Sequence, residues 1–383
     1  MQARGRSRRS GLQQETRPSR WRQMRNWLIV IAVVALAVTV FRAVRSQREV
    51  TEIEAVAMPC TADQNVTPFG DSVLYYDGAS IHCLAGGGGI RWSFPVGTGA
   101  SFAASDTHMV VWSGTQLFIV DRNGRPSYNE NMNGQVQFAR VGSKYAAVVV
   151  GGDTEPDLLI KNLDGTQVDE ESEAYTGMLL LDVGFYGEAD QYMWTLALDV
   201  YGTAINTVMN TFQVGKMNTG VVDLGEFLAY KVLFEDNKLR VFTTQQMYTY
   251  DYKAVQDMGA TQLVYGWQLI DYDVPARGSA PMLLAATKQL AEGSLTELRV
   301  LTGTQDRRYT LPSACIGAGV QGRNIYAVSK NYLYRADIDR QRFFGYALPI
   351  PESKQVTKLI GLTSNGRAIV ACGQEVYSVQ LPK

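Results

Sequence analysis

Apolar residues in this chain come mostly in paired short runs, each pair split by a polar turn. Five pairs are plain. They are Val73–Tyr76 with Ile81–Leu84, Met109–Trp112 with Leu117–Val120, Leu239–Phe242 with Met247–Tyr250, Ile325–Val328 with Tyr332–Ala336, and Ala368–Cys372 with Val376–Val379. Runs of four to six such residues bounded by turn residues predict half-buried or fully buried β-strands joined as hairpins. The first runs start 36, 130, 86 and 43 residues apart, and 130 and 86 are close to three and two times 43. Weaker copies should fill the gaps, and Tyr145–Val150, Met193–Leu198 and Pro281–Leu284 do so. The period is therefore about 42 residues, repeated eight times. Short strands at a period of roughly 40–45 residues are the signature of four-stranded propeller blades.

Turn chemistry agrees. Asp77-Gly78, Asn123-Gly124, Asn133-Gly134, Asp164-Gly165 and Asn365-Gly366 stand where a strand must reverse, and such pairs favour the positive φ of tight turns. The four glycines 86–89 read as a flexible turn of the same kind. The last unit has only three strands, near 356–362, 367–372 and 375–381, before the chain stops at Lys383. Residues 51–58 (TEIEAVAM) are the candidate fourth, a pairing of chain ends that would close the ring and remove its open edges. The fold class expected is an all-β propeller, eight-bladed with seven as the alternative, over residues 65–383, after a linker with a ring-closing strand at 45–64.

The N-terminus has another character. Residues 1–25 hold eight arginines against one acid, Glu15, with no apolar periodicity, which predicts a disordered basic tail. The uncharged run 26–41 (NWLIVIAVVALAVTVF) extends to residue 44 if Arg42 snorkels, close to the ~17–25 residues needed to cross a bilayer. Residues 26–44 thus read as one transmembrane helix from Trp27, at the interface, past Phe41. The excess of arginine ahead of it puts the N-terminus in the cytoplasm and the propeller outside. A cleaved signal peptide is the rival, opposed by the long basic stretch and by the lack of a small-residue cleavage site before Arg42. The anchor should leave the ring beside its seam.

The net charge of −1 hides a split. Residues 1–50 carry 11 Arg and 2 Glu, leaving 25 Lys+Arg against 35 Asp+Glu in the remainder. An acidic exterior domain is a poor partner for nucleic acid. The membrane-surface arginines Arg17, Arg20, Arg22 and Arg25 suit anionic lipid headgroups instead.

Candidate chemistry is sparse. Gly317 to Gly322 matches the spacing of a dinucleotide loop, but a β-hairpin follows where a helix is needed, so packing near the ring axis is the reading. The acids Asp169, Glu170, Glu171 and Glu173 do not fall in calcium-loop register. With His82 and His108 the only histidines, neither a metal site nor a Ser-His-Asp triad is expected, and no cofactor is implied. Cys60, Cys83, Cys315 and Cys372 are candidate disulfide partners, Cys60 with Cys83 or Cys315 with Cys372 across the seam, with free thiols equally open.

Residues 72–96 (SVLYYDGASIHCLAGGGGIRWSFPV), with a strand, turn, strand, small-residue turn and then Trp92 and Pro95, resemble a repeat of the PQQ-like propellers, the superfamily that includes quinoprotein dehydrogenases. The whole arrangement is similar to a family of single-span, membrane-anchored propellers of Gram-positive anaerobes. The resemblance covers about 320 residues and implies fold far more than function. Those dehydrogenases are known for a vicinal cysteine pair and a calcium-linked aspartate, and this chain has no Cys-Cys. The function expected is a membrane-anchored binding or scaffolding module of the cell envelope, without catalysis, for a protein or polymer partner. A ligand sensor signalling through its span is the alternative, and a quinoprotein-type enzyme the third.

Overall fold

The computed structural model describes residues 53–152, 155–171, 173–275, 278–351 and 353–383. The basic tail and the transmembrane segment, with Arg17, Arg20, Arg22, Arg25, Trp27 and Phe41, lie outside the described residues. Among the described residues no helix is long and apolar enough to cross a membrane.

Eight four-stranded antiparallel sheets make the blades of a propeller. Blade 1 runs Thr67–Phe69, Ser72–Tyr76, Ser80–Ala85 and Ile90–Pro95, and each later blade repeats that order from inner to outer strand. Blade 8 contributes Lys358–Thr363, Arg367–Cys372 and Glu375–Gln380, and its outer strand is Ala55–Thr61, from the other end of the chain. Ala55 pairs with Val379 and Ala57 with Tyr377, antiparallel.

The two middle strands of a blade are buried on both sides, and this is where the sequence pattern is most apolar. Val73, Leu74, Val110, Leu117, Ile119, Val148 and Val370 are fully buried. Their alternate side chains enter separate cores, one between each pair of neighbouring blades. Leu74, Ile81, Met109 and Val120 fill the space between blades 1 and 2, and Val328, Leu333, Val370 and Val379 that between blades 7 and 8. A propeller therefore has eight thin cores rather than one thick one, and no blade buries its faces alone.

Docking of the outer strands fixes the angle between blades. Trp92, on the outer strand of blade 1, donates its Nε1 hydrogen to the carbonyl of Arg122 at 2.9 Å and lies flat over Gly124 of blade 2. A Cβ added to Gly124 would sit 2.7 Å from the indole, and its φ is +79°. Tyr128 of blade 2 covers Gly165 of blade 3 in the same way, with Ser127 Oγ donating to the Leu163 carbonyl at 2.5 Å. Asp169 of blade 3 accepts from the Gly215 amide of blade 4 at 2.9 Å, and the Tyr309 hydroxyl of blade 6 donates to the Ile338 carbonyl of blade 7.

The inner strands are bolted by carboxylates. Arg140 of blade 3 meets Asp182 of blade 4 at 2.8 Å, and Asp271 of blade 6 accepts from the Val320 amide of blade 7 at 2.8 Å. The glycines of the 317–322 run leave room for this: a Cβ on Gly319 would fall 2.8 Å from Asp271 Oδ2 and 2.9 Å from Leu362, and one on Gly317 2.8 Å from Leu359. The run is an inner strand, Gly317–Gln321, with no helix after it.

Strand direction gives the ring two faces. The first carries the turns within a blade from strand 1 to 2 and from 3 to 4. The second carries the turns from strand 2 to 3 and the links to the next blade. Strand Ala55–Thr61 begins on the first face.

Two outcomes are expected. Gly124→Ala should lower unfolding free energy by about 3 kcal/mol, since it combines a left-handed φ with a clash against Trp92, whereas Gly114→Ala, at φ +60° with nothing within 4 Å, should cost about 1 kcal/mol; urea denaturation of both measures the difference. Burial raises the Asp271 carboxyl to about 6, against the backbone hydrogen bonds from Val320 and Tyr272 and with Asp273 nearby. A folded value above the unfolded one, roughly 4, means that the ionised form destabilises the fold fully above about pH 6 and not at all below about pH 4. Asp271→Asn should therefore raise stability by about 1–2 kcal/mol at pH 7 and leave it unchanged at pH 4, read from urea midpoints at the two pH values.

Candidate functional site

The blades depart most from regularity in blades 5 and 6, where two long loops rise from the first face. Residues 252–261 separate Asp251 from Gln262 in blade 5, and between Tyr272 and Met282 of blade 6 the described loop residues are 273–275 and 278–281. With the turns at Thr302–Gln305 and Gly322–Arg323, they wall a cleft of about 1220 Å³ across blades 5, 6 and 7.

One buried ion pair pins these loops to the sheet. Glu235, at the end of the inner strand of blade 5, has a fully buried carboxylate that accepts from Arg240 Nε at 2.7 Å. Its other oxygen accepts from the Ala280 amide, in the blade 6 loop, at 3.1 Å. Arg240 Nη1 donates to Thr249 Oγ1 at 2.7 Å, and that hydroxyl donates to the carbonyl of Ala260 in the blade 5 loop at 3.2 Å. Each charge is thus compensated by its partner and by one further group from another segment, Ala280 for Glu235 and Thr249 for Arg240, the condition under which a buried pair is tolerated. Removing one member would leave a buried charge and release both loops.

The walls are polar and internally paired. Lys238 meets Asp257 at 3.1 Å, Arg307 meets Asp339 at 2.9 Å, Arg323 also reaches Asp339, and Asp273 accepts from the Gly322 amide. The Asp257 carboxyl is held below its ordinary value first by its hydrogen bond from Lys238. Gln262 Oε1, from a residue of the cleft lining, is buried with no hydrogen-bond partner in the protein. A wide, open, hydrogen-bonding trough suits an extended polar chain better than a small apolar ligand, which a deep greasy pocket would favour. Length and turn composition alone mark these loops in the sequence; the ion pair beneath them spans a single hairpin, but its contact to Ala280 joins residues 45 apart and no local pattern reports it.

The cysteines do not meet. Cys60, Cys83, Cys315 and Cys372 are all free and buried, each in a different inter-blade core, so neither pairing weighed for the seam is formed. Burial pushes the Cys60 thiol up to about 11 and that of Cys315 to about 12, which keeps both protonated and unreactive. Asp169, Glu170 and Glu171 lie not in a turn but on the outer strand of blade 3, Gln167–Glu171, where Asp169 makes the Gly215 contact, and Glu173 opens a short 3-10 helix. Among the described residues no three His, Cys, Asp or Glu side chains group as metal ligands.

One arrangement escaped sequence reasoning. Asp77 Oδ2 lies 2.8 Å from His82 Nε2, and His82 Nδ1 lies 2.7 Å from Ser93 Oγ, the order of a nucleophilic triad. Its setting decides the chemistry. Ser93 is exposed on the outermost strand of blade 1, directly opposite His82 in the register, and His82 stacks on Tyr75 at 4.8 Å. Asp77 also accepts from the Ala79 and Ser80 amides, and its carboxyl is lowered to about 2, first by the His82 hydrogen bond. A serine on a solvated sheet edge lacks the water-excluded site that transition-state stabilisation requires. The three residues clamp the turn between the middle strands of blade 1.

No family model matches the sequence, and no curated protein matches it. Solved structures do. The Saccharomyces cerevisiae protein Sqt1 aligns over 82% of this chain and 94% of its own at 9% identity with a TM-score of 0.53. BamB of Moraxella catarrhalis aligns over 86% and 97% at 10% identity and a TM-score of 0.48, and apo AztD of Citrobacter koseri over 78% and 96% at 11% and 0.48. At such identities the likeness concerns fold alone. The likeness to Sqt1 agrees with the ring of eight four-stranded sheets described above: this chain has the β-propeller fold.

Proposed function

We propose that this protein is a membrane-tethered binding module of the cell envelope, of the PQQ-like propeller kind, that holds an extended peptide or polymer partner and performs no catalysis. The observation that carries the reading is the pair of long loops fixed by Glu235 and Arg240 around an open polar cleft. In a ring whose cores are committed to holding the blades together, recognition falls to loops on a rigid scaffold. The tether rests on the sequence: the arginines through Arg25, which would lie on anionic headgroups, and the apolar run from Trp27 to Phe41. The acidic balance of the remainder suits a soluble exterior domain.

The test is cross-linking in the native cell, followed by recovery of the full chain from carbonate-washed membranes. The chain should stay with the membrane pellet, be cleaved by protease added to intact cells, and carry a reproducible envelope component. Thr304→Trp, an exposed residue of the cleft wall, should reduce that cross-link by about fivefold, equivalent to about 1 kcal/mol of binding. Release by carbonate would end the tethered reading. A cross-link indifferent to Thr304→Trp would end the cleft reading.

A further inference from the structure

The face opposite the cleft carries a different surface. In blade 4, residues 200–205 join strands Tyr192–Asp199 and Asn206–Gln213, and residues 224–228 link Met217–Asp223 to the next blade. Both lie on the second face and run side by side: the Thr207 amide donates to the Gly225 carbonyl and the Leu224 amide to the Thr207 carbonyl, each at 2.9 Å. From these two joined segments Val200, Tyr201, Ile205, Phe227 and Leu228 stand exposed, Tyr201 by 65%, Ile205 by 55% and Leu228 by 44%. Tyr265, on the neighbouring link of the same face, is 74% exposed. Single exposed apolar residues are ordinary, but five on two adjoining loops, tied through Thr207 at the start of the strand after the first, form a patch of the kind that marks an interaction site.

The charges around the patch have one sign. Residues 199–206 and 223–229 contain Asp199, Asp223 and Glu226 and no lysine or arginine. Two of these acids shape the display: Asp199 Oδ1 accepts from the Tyr201 amide at 3.0 Å, and Asp223 Oδ1 from the Gly225 amide at 2.8 Å. Each fixes the turn that carries the apolar side chains outward. Acids around an aromatic and aliphatic patch repel an anionic lipid surface and attract a cation that can also bury apolar area.

We propose that this patch docks a protein segment in which lysine or arginine alternates with large apolar side chains. The inference deepens the binding-module reading with a second surface, distinct from the cleft. The probe is a 14-residue amphipathic peptide of leucine and lysine, with leucine/glutamate and serine/lysine peptides as comparisons. Fluorescence anisotropy is measured on the full chain in zwitterionic nanodiscs, with empty nanodiscs as the blank. The leucine/lysine peptide should bind, more weakly as salt rises, and the other two should not. The double variant Phe227→Ser, Leu228→Ser should weaken it about tenfold and Glu226→Lys about threefold, with thermal midpoints unchanged because these residues are exposed.

Thr304→Trp separates the two surfaces and should leave peptide binding intact. Binding unaffected by the patch variants, equal binding of the leucine/glutamate peptide, or loss of binding in Thr304→Trp alone would each overturn the proposal, and the last would leave the cleft reading standing. Capture of phosphatidylcholine vesicles through the patch, without peptide binding, would assign it to lipid instead.

Discussion

Every blade of this ring has two apolar faces and can cover them only with its neighbours, so the structure depends on closure. Were the circle open, the outward sides of its two end blades would face water, and the inter-blade core there would be lost. The seam is closed by exchange of strands: Ala55–Thr61 completes a sheet whose other three strands come from the C-terminus. Met58 and Cys60 of that strand share a core with Val73 and Leu84 of blade 1 and with Ile369 and Val376 of blade 8. The same strand thus supplies backbone pairing within one blade and side-chain contact to the next.

Closure leaves little freedom to the interior and much to the loops. The side chains between blades obey a common geometry, seen in Trp92 over Gly124 and Tyr128 over Gly165. The loops of blades 4 to 6 obey none. They diverge in opposite directions, into a polar trough pinned by Glu235 and Arg240 on one face and an acid-bordered apolar patch on the other. A closed ring with two chemically unlike faces would give the two proposed partners separate surfaces.

The ring was legible in the sequence through its middle strands. All five strong hairpins and the three weaker copies are the second strand of a blade, the five strong ones with its third, and these are buried on both sides, so their residues are mostly apolar, with paired exceptions such as Arg240 and Thr249. The inner and outer strands were hard to see for a physical reason. Pro126–Asn131 is exposed at nearly every position, and Gly317–Gln321 begins Gly-Ala-Gly because the inner strands crowd together there. The glycine run there looked like a phosphate loop by spacing and was excluded only by the hairpin after it. Asn123-Gly124 and Asp164-Gly165 read correctly as turns, but their second role as seats for an aromatic ring depends on a neighbouring blade, which no local pattern reports. The same holds for the candidate sites. The ion pair under the cleft and the relay Asp77, His82 and Ser93 are products of cross-strand register, and the apolar patch joins segments that meet only once the sheet has formed.

The direction of the seam strand also has a mechanical meaning. A force applied at residue 53 along the axis of Ala55–Thr61 would run parallel to the ladder that strand makes with Glu375–Gln380. Its hydrogen bonds then share the load together instead of opening one after another from an end. A ring stitched in this way resists being pulled apart by its own leading segment better than one closed by a strand peeled at right angles, and it would yield as a whole rather than unzip.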